Sequence, residues 1–155
     1  MDLVHGRVRL KNLFARSPRY DAGGTEKSSN ETVYTLDTNA IIYYLHAEES
    51  VCVFIDTSIR NASPLYMSVI TEAELFRFPG LPPHEESAII DLLPAFSIVP
   101  LDSYIARMAG ALGRVHNLKL ADSIIAATAL FTGTTLVTRN ARDFRRVHGL
   151  SVEKI

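Results

Sequence analysis

From residue 32 onward, short runs of β-branched and aromatic residues alternate with longer runs that have helical spacing. Four runs have strand character: TVYTLD (32–37), PLYMSV (64–69), FSIVPL (96–101) and TTLVT (134–138). The terminal run LSVEKI predicts a fifth strand at an edge. Strands that alternate with helices are typical of right-handed crossovers between parallel strands. The sequence therefore predicts an α/β fold in three layers, a mostly parallel four- or five-stranded sheet flanked by helices.

The first 31 residues do not follow this alternation. Residues 15–31, ARSPRYDAGGTEKSSNE, are polar, contain a proline and a glycine pair, and show neither helical nor strand period. The preceding VHGRVRLKNLF is long enough for a short strand or a basic arm, but not for a domain. We therefore expect residues 1–31 to be a poorly ordered extension and linker, and residues 32–155 to form one domain.

Several classes of protein are excluded by the composition. No apolar run approaches the roughly 18 residues of a membrane-spanning helix, and the N-terminus lacks the apolar stretch of a signal peptide. We therefore expect a cytoplasmic protein that does not bind membranes. The only cysteine, Cys52, is flanked by apolar residues, so an internal disulfide and a thiolate metal cluster are excluded. We expect Cys52 to lie in the core.

The charge of the chain is unevenly distributed. Residues 1–31 contain six basic and four acidic residues, a net charge of +2, which leaves −3 for the rest of a total of −1. A negative domain repels nucleic acid, so contact with phosphates must rely on a local basic cluster. The segment TRNARDFRR supplies such a cluster: Arg139, Arg142, Arg145 and Arg146. The alternative is that these arginines form a solvated helix face.

Acidic and polar residues follow the ends of three predicted strands. Asp37 ends the first strand, Glu72 and Glu74 follow the second, and Asn140 and Asp143 follow the fourth. In an open parallel sheet, ligands bind outside the carboxyl ends of the strands. The pattern therefore predicts a polar site at this edge of the sheet.

The same residues also fit local roles at helix ends. Asp37 and Thr38 are suited to cap the following helix. The spacing from Thr71 to Glu74 fits a capping box, and the spacing from Asn140 to Asp143 is the same. Spacing alone leaves both interpretations open.

Asp122 is harder to explain as a cap. It lies in LKLADSIIAATALF (118–131), and its neighbours on a helix would be small or apolar: Ile125, Ala126 and Ala129. An ionised carboxylate in such a stripe needs compensation. The candidates are a helix that begins at Asp122, a basic partner such as Lys119 or an arginine of the 139–146 cluster, or a metal ion shared with other carboxylates.

A divalent cation would account for all of these acids together. A carboxylate-rich set without cysteines or paired histidines points to Mg²⁺ or Mn²⁺ rather than Zn²⁺. The five histidines form no HxxxH pair: His5, His46, His84, His116 and His148. The motifs GxSxG, GxxxxGK[ST] and GxGxxG are also absent from the sequence.

Four segments in order, LDTNAIIYYL, MSVITEAEL, LKLADSIIAATAL and TTLVTRNARDF, resemble those of PIN-domain ribonucleases, in particular VapC-type toxins of prokaryotic toxin-antitoxin pairs. The resemblance spans about residues 33–155. It implies a PIN-like nuclease domain in which Asp37, Glu74 and Asp122 fall on the first three acidic positions of the family. Family members often have aspartate at the fourth position, where this chain has Asn140, and Asp143 is the nearest acid.

By this resemblance the chain is a Mg²⁺-dependent endoribonuclease, with Mn²⁺ as an alternative metal. The catalytic, metal-binding residues would be Asp37, Glu74, Asp122 and Asp143. Supporting residues would be Asn39, Ser68, Thr138 and Asn140, and the four arginines of TRNARDFRR would contact RNA. The resemblance also implies a homodimer and a cognate antitoxin that covers an apolar groove and the acidic pocket.

Two other functions remain open at this point. The first is a catalytically weak or inactive PIN-fold binding or scaffold module, for which Asn140 is the motivating feature. The second is a phosphohydrolase of another doubly wound class, although DTN lacks the second aspartate of DxD phosphatases. Loss of Mg²⁺ or Mn²⁺ binding in Asp37→Ala and Asp122→Ala variants would distinguish the enzyme from the module.

Overall fold

A computed structural model describes residues 32–155 of the protein. The prediction for the N-terminal extension concerns residues 1–31, which lie outside the described residues. The strands are β1 (Tyr34–Leu36), β2 (Leu65–Ser68), β3 (Ser97–Val99), β4 (Thr135–Thr138) and β5 (Val152–Lys154). The helices are α1 (Thr38–Leu45), α2 (Glu49–Arg60), α3 (Val69–Phe76), α4 (Pro83–Leu92), α5 (Ser103–His116), α6 (Leu120–Thr132) and α7 (Ala141–Phe144), and a 3-10 turn covers Leu93–Ala95.

The five strands form one sheet with the order β3-β2-β1-β4-β5, and every neighbouring pair is parallel. The predicted parallel sheet is confirmed, and β5 pairs with β4 at an edge as expected. The central strand β1 lies between β2, which follows it along the chain, and β4, which comes much later. The chain therefore reverses its direction across the sheet at β1 and β4, where ligands bind in open α/β sheets.

Helices cover both faces of this sheet. Side chains alternate between the two faces of a strand. In β4, Val137 packs with β1, β2 and α1 to α4, whereas its neighbour Leu136 packs with α6 and α7. A third apolar cluster joins α5 to α6 through Ile105 and Ile124. The predicted three-layer α/β fold is therefore confirmed, and Cys52, which is 3% exposed, lies in the core.

The observed helix ends show which of the predicted helix caps form. Asp37 caps α1, since its Oδ1 accepts a hydrogen bond from the Ala40 amide at 2.7 Å. The capping box from Thr71 to Glu74 is wrong, because α3 begins directly after β2 and Ser68 is its cap. A helix that begins at Asp122 is also wrong, because α6 begins at Leu120.

Within residues 32–155, no helix combines the length and the apolar character needed to cross a membrane.

Candidate functional site

The predicted site residues come together at the carboxyl ends of β1 and β4. Asp37 directly follows β1, and Thr138 is the last residue of β4. The Thr138 hydroxyl donates a hydrogen bond to Asp37 Oδ2 at 2.5 Å. This bond joins two residues that are 101 positions apart in the chain.

Asp37 is almost fully buried, and both of its carboxylate oxygens have partners. Burial is the main cause that raises the pKa of the Asp37 carboxyl above its ordinary value of 3.8. The hydrogen bonds from Thr138 and from the Ala40 amide lower this pKa, while the negative charges of Asp122 and Glu74 raise it. The two donors fix the orientation of the carboxylate without removing the cost of its charge.

Asp122 lies in the first turn of α6, where the positive end of the helix dipole favours an acid. Burial is again the main cause of a raised pKa, and the charges of Glu74 and Asp143 raise it further. The positive charge of Lys119, one of the compensating partners considered from the sequence, lowers the pKa of Asp122. The net direction is upward, so Lys119 does not fully compensate the carboxylate.

Glu74 and Asp143 are held by polar side chains next to them. The Thr38 hydroxyl donates a hydrogen bond to Glu74 Oε2. Asp143 accepts a hydrogen bond from Asn140 Nδ2 at 2.7 Å and lies 3.9 Å from the Arg146 guanidinium. Asn140 therefore contacts the acid that follows it, rather than capping α7 with its side chain.

The four predicted acids thus form one electrostatic cluster, which we call the carboxylate cluster: Asp37, Glu74, Asp122 and Asp143. The charge of Glu74 raises the pKa of both Asp37 and Asp122. The charge of Asp122 also raises the pKa of Asp37, and the charge of Asp143 raises that of Asp122. An all-oxygen set with this excess of negative charge is what a hard divalent cation prefers.

The present side-chain positions do not yet enclose a cation. Among residues 32–155, no three His, Cys, Asp or Glu side chains are grouped so that they could hold a metal ion. Three of the acids are turned toward donors on neighbouring segments, namely Thr38, Thr138 and Asn140. The chemistry of the donors fits Mg²⁺ or Mn²⁺.

The other predicted residues lie around the cluster. Ser68 is buried, and its Oγ accepts a hydrogen bond from the Ile70 amide at 3.3 Å, whereas Asn39 is exposed in the first turn of α1. Arg142 and Arg145 are exposed. Arg139 forms an ion pair with Glu48, and its guanidinium carbon lies 4.1 Å from the centre of the Tyr43 ring.

Thr38 and Tyr43 were not among the predicted site residues. Thr38 was considered only as a helix cap, although its position next to Asp37 placed it at the carboxyl edge of the sheet. Its partner Glu74 is 36 positions away, so local spacing gave no signal for the contact. The contact of Tyr43 with Arg139 joins residues that are also far apart in the chain, so local spacing gave no signal for it either.

An apolar groove borders the carboxylate cluster on one side. It has a volume of about 150 Å³ and lies between α1, α3 and α4. Its walls include Ile42, Leu45, Leu75, Phe78 and Ile89, together with Glu74 of the cluster. Phe78 is 60% exposed, so part of this apolar surface faces solvent.

Residues 34–150 match the model of the PIN domain family. No curated protein sequence gives a significant match.

Solved structures with a similar fold include chains of toxin-antitoxin complexes. A toxin-antitoxin complex from Klebsiella pneumoniae has a chain that is 29% identical, with a TM-score of 0.62, over 79% of this chain and 99% of that chain. VapBC-1 from nontypeable Haemophilus influenzae has one that is 25% identical, with a TM-score of 0.65, over 79% and 98%. A chain of VapBC2 from Rickettsia felis, solved with a promoter DNA fragment, has a TM-score of 0.70 at 22% identity, over 80% and 99%.

Proposed function

This chain belongs to the PIN domain family, and on that premise we propose that it is a metal-dependent endoribonuclease that acts as the toxin of a toxin-antitoxin pair. The observation that carries the proposal is the carboxylate cluster. Its four acids come from four separate segments of the chain, and burial, together with the charges of neighbouring acids, raises the pKa of Asp37 and Asp122. Perturbed carboxylates that converge at a strand end are typical of functional sites.

The metal we propose is Mg²⁺, with Mn²⁺ as the alternative, held by the four acids of the carboxylate cluster. A cation bound there would lower the pKa of a water molecule and would neutralise negative charge on a phosphate. The excess negative charge of the cluster supports this choice, because Lys119 alone does not cancel it.

The protein's own groups would then position the reactants. In the proposed hydrolysis, the oxygen of a water molecule attacks the phosphorus in line, and the bond from phosphorus to a ribose oxygen breaks. The water loses a proton, and the released ribose oxygen takes up a proton to become a hydroxyl. Three carboxylates accept hydrogen bonds from the hydroxyls of Thr38 and Thr138 and from the amide of Asn140. These donors would orient the carboxylate oxygens that face the attacking water. Exposed Arg142 and Arg145 would contact RNA phosphates, which gives affinity without sequence information.

We assign the apolar groove to the antitoxin. Its walls are apolar apart from a few polar groups, and Glu74 belongs both to the groove and to the carboxylate cluster. An apolar peptide segment in this groove would therefore lie beside the acids. The complexes from Klebsiella pneumoniae and Haemophilus influenzae support a partner of this class. The predicted homodimer remains a prediction, which sedimentation velocity of the purified protein would test.

Two matched assays test the proposed function. Expression of the wild type in a bacterial host without antitoxin should arrest growth, while Asp122→Asn at equal soluble level should not. In vitro, the purified wild type should cleave RNA with Mg²⁺ or Mn²⁺ and stop when EDTA is added. Equal growth of both strains, together with no cleavage by the wild type, would contradict the proposal.

One observation favours the alternative of an inactive PIN-fold module. The acids do not enclose a cation in their present positions, and Asn140 holds Asp143. A module of this kind would bind partners through the groove without cleaving RNA. It would also bind no Mg²⁺ or Mn²⁺ at millimolar concentration, whereas the enzyme must bind one of them.

A further inference from the structure

The side chains of Tyr43 and Arg139 form a stack beside the carboxylate cluster. The guanidinium carbon of Arg139 lies over the Tyr43 ring, 4.1 Å from its centre. The Tyr43 ring packs against the large apolar core cluster, so its position is anchored. The Arg139 side chain is 38% exposed, so the stack lies partly at the surface. A stacked guanidinium is a planar cation.

An ion pair changes what this arginine is suited to bind. Glu48 pairs with the Arg139 guanidinium. A phosphate that approached the same nitrogen atoms would have to compete with a carboxylate that already occupies them. The face of a guanidinium, in contrast, stacks on planar groups whether or not its edge is paired. Arg139 is thus better suited to a planar ligand than to a phosphate.

The stack is close to the proposed reaction centre. Arg139 directly follows Thr138, whose hydroxyl contacts Asp37. Tyr43 is six residues after Asp37, which corresponds to about 9 Å along the axis of α1 at the ordinary rise of a helix. A nucleotide next to the cleaved bond would therefore reach the stack.

We propose that Tyr43 and Arg139 form a stacking platform for an unpaired nucleobase of the RNA, next to the scissile phosphate. The inference rests on the proposed ribonuclease function and extends it to the substrate. A base inside a duplex is stacked on both faces, so only a single-stranded or unstacked nucleotide fits the platform. The preferred substrate is therefore RNA that is single-stranded at the position next to the cleavage site.

The test compares cleavage rates of full-length variants on a single-stranded RNA with a mapped cleavage site. Arg139→Lys keeps the charge and removes the planar group. Stacking of one base corresponds to a change of roughly 5- to 150-fold, so we expect a fall of about 10-fold in kcat/KM. Arg60→Lys, at an exposed position of α2 outside the predicted site, is the matched control and should not change the rate.

A second arm links the effect to the base itself. Replacing the neighbouring nucleotide with an abasic one should slow the wild type about as much as Arg139→Lys does. The abasic RNA should cause little further loss in Arg139→Lys, because the two changes remove the same contact. Circular dichroism would confirm that the variant is folded.

The platform would be refuted if the wild type cleaves but the abasic RNA slows both proteins equally. Full activity of Arg139→Lys on the intact RNA would also refute it. Failure of the wild type to cleave any RNA with Mg²⁺ or Mn²⁺ would overturn the ribonuclease function itself, and the platform with it. The two kinds of failure are therefore distinguishable.

Discussion

Asp37 and Asp122 destabilise the folded protein while no cation is bound, because burial raises the pKa of each carboxyl. A raised folded-state pKa means that the folded protein holds the proton to a higher pH than the unfolded chain does. The free energy of unfolding therefore falls as pH rises from about 3.8, the ordinary pKa, through the raised value. Such instability at a site is a common cost of function.

The first prediction follows from this fall in the free energy of unfolding with rising pH. In EDTA at neutral pH, Asp122→Asn should unfold at a higher denaturant concentration than the wild type, and its stability should fall less between pH 4 and pH 7. Saturating Mg²⁺ or Mn²⁺ should remove the advantage. Asp102→Asn is the matched control, because Asp102 caps α5 and does not contribute to the raised pKa of Asp37 or Asp122. A wild type as stable as Asp122→Asn throughout this pH range would contradict the account.

The second prediction concerns the hydroxyl that orients Asp37. Thr138→Val keeps the shape of the side chain and removes the donor to Asp37 Oδ2. Loss of a group that orients a metal ligand typically lowers metal affinity by about 10- to 100-fold, and we expect a change of that size in a Mn²⁺ titration. Thr128→Val is the control, because the Thr128 hydroxyl bonds within α6 to Ile124. Equal Mn²⁺ affinity in both variants would show that Thr138 does not position Asp37.

At the scale of elements, the position of Asp122 depends on how closely α5 and α6 approach. A Cβ atom built on Gly113 of α5 would lie 2.9 Å from Ser123 Oγ, next to Asp122 in the first turn of α6. The Ser123 hydroxyl also donates to the Lys119 carbonyl at 2.9 Å, so it is not free to swing away without losing that bond. Gly113 therefore allows the first turn of α6 to pack closely against α5.

The third prediction uses two glycines of the same helix. Gly113→Ala should shift the first turn of α6, weaken metal binding, and cost about 1–3 kcal/mol of stability, as overpacking does. Gly110→Ala is the matched control, since a Cβ atom there meets nothing within 4 Å. Replacing a mid-helix glycine should stabilise the protein by about 0.5–1 kcal/mol. Thermal unfolding and Mn²⁺ titration measure both effects, and equal behaviour of the two variants would contradict them.

Local patterns in the sequence predicted the elements well. Each of the five runs predicted to be strands contains a strand of the sheet. The capping box at Thr71 failed because β2 runs directly into α3, so Ser68 takes the cap. Contacts such as Thr38 with Glu74 join distant segments, so only the packing of α1 against α3 creates them. The sequence could indicate which acids meet, but not which hydroxyls hold them.

At the scale of the whole molecule, the predicted domain boundary is open to a direct test. Every member of the carboxylate cluster, the groove and the stacking platform lies within residues 32–155. The fourth prediction is that removal of residues 1–30 leaves RNA cleavage intact. Cleavage rate and thermal unfolding would be measured beside the full-length protein. Loss of folding on truncation would show that the domain extends further toward the N-terminus.

The net charge of the domain also draws attention to the carboxylate cluster. Residues 32–155 have a net charge of −3, and four of their acids form the carboxylate cluster. At neutral pH, either a cation neutralises these acids, or their uncompensated charge lowers the free energy of unfolding.

Calorimetric titration of the full-length protein with Mn²⁺ at neutral pH distinguishes these two cases. The account predicts saturable binding by the wild type, with affinity at least about 10-fold weaker in Asp122→Asn and unchanged in Asp102→Asn. Absence of saturable binding by the folded wild type, or equal affinity in the wild type and Asp122→Asn, would contradict it.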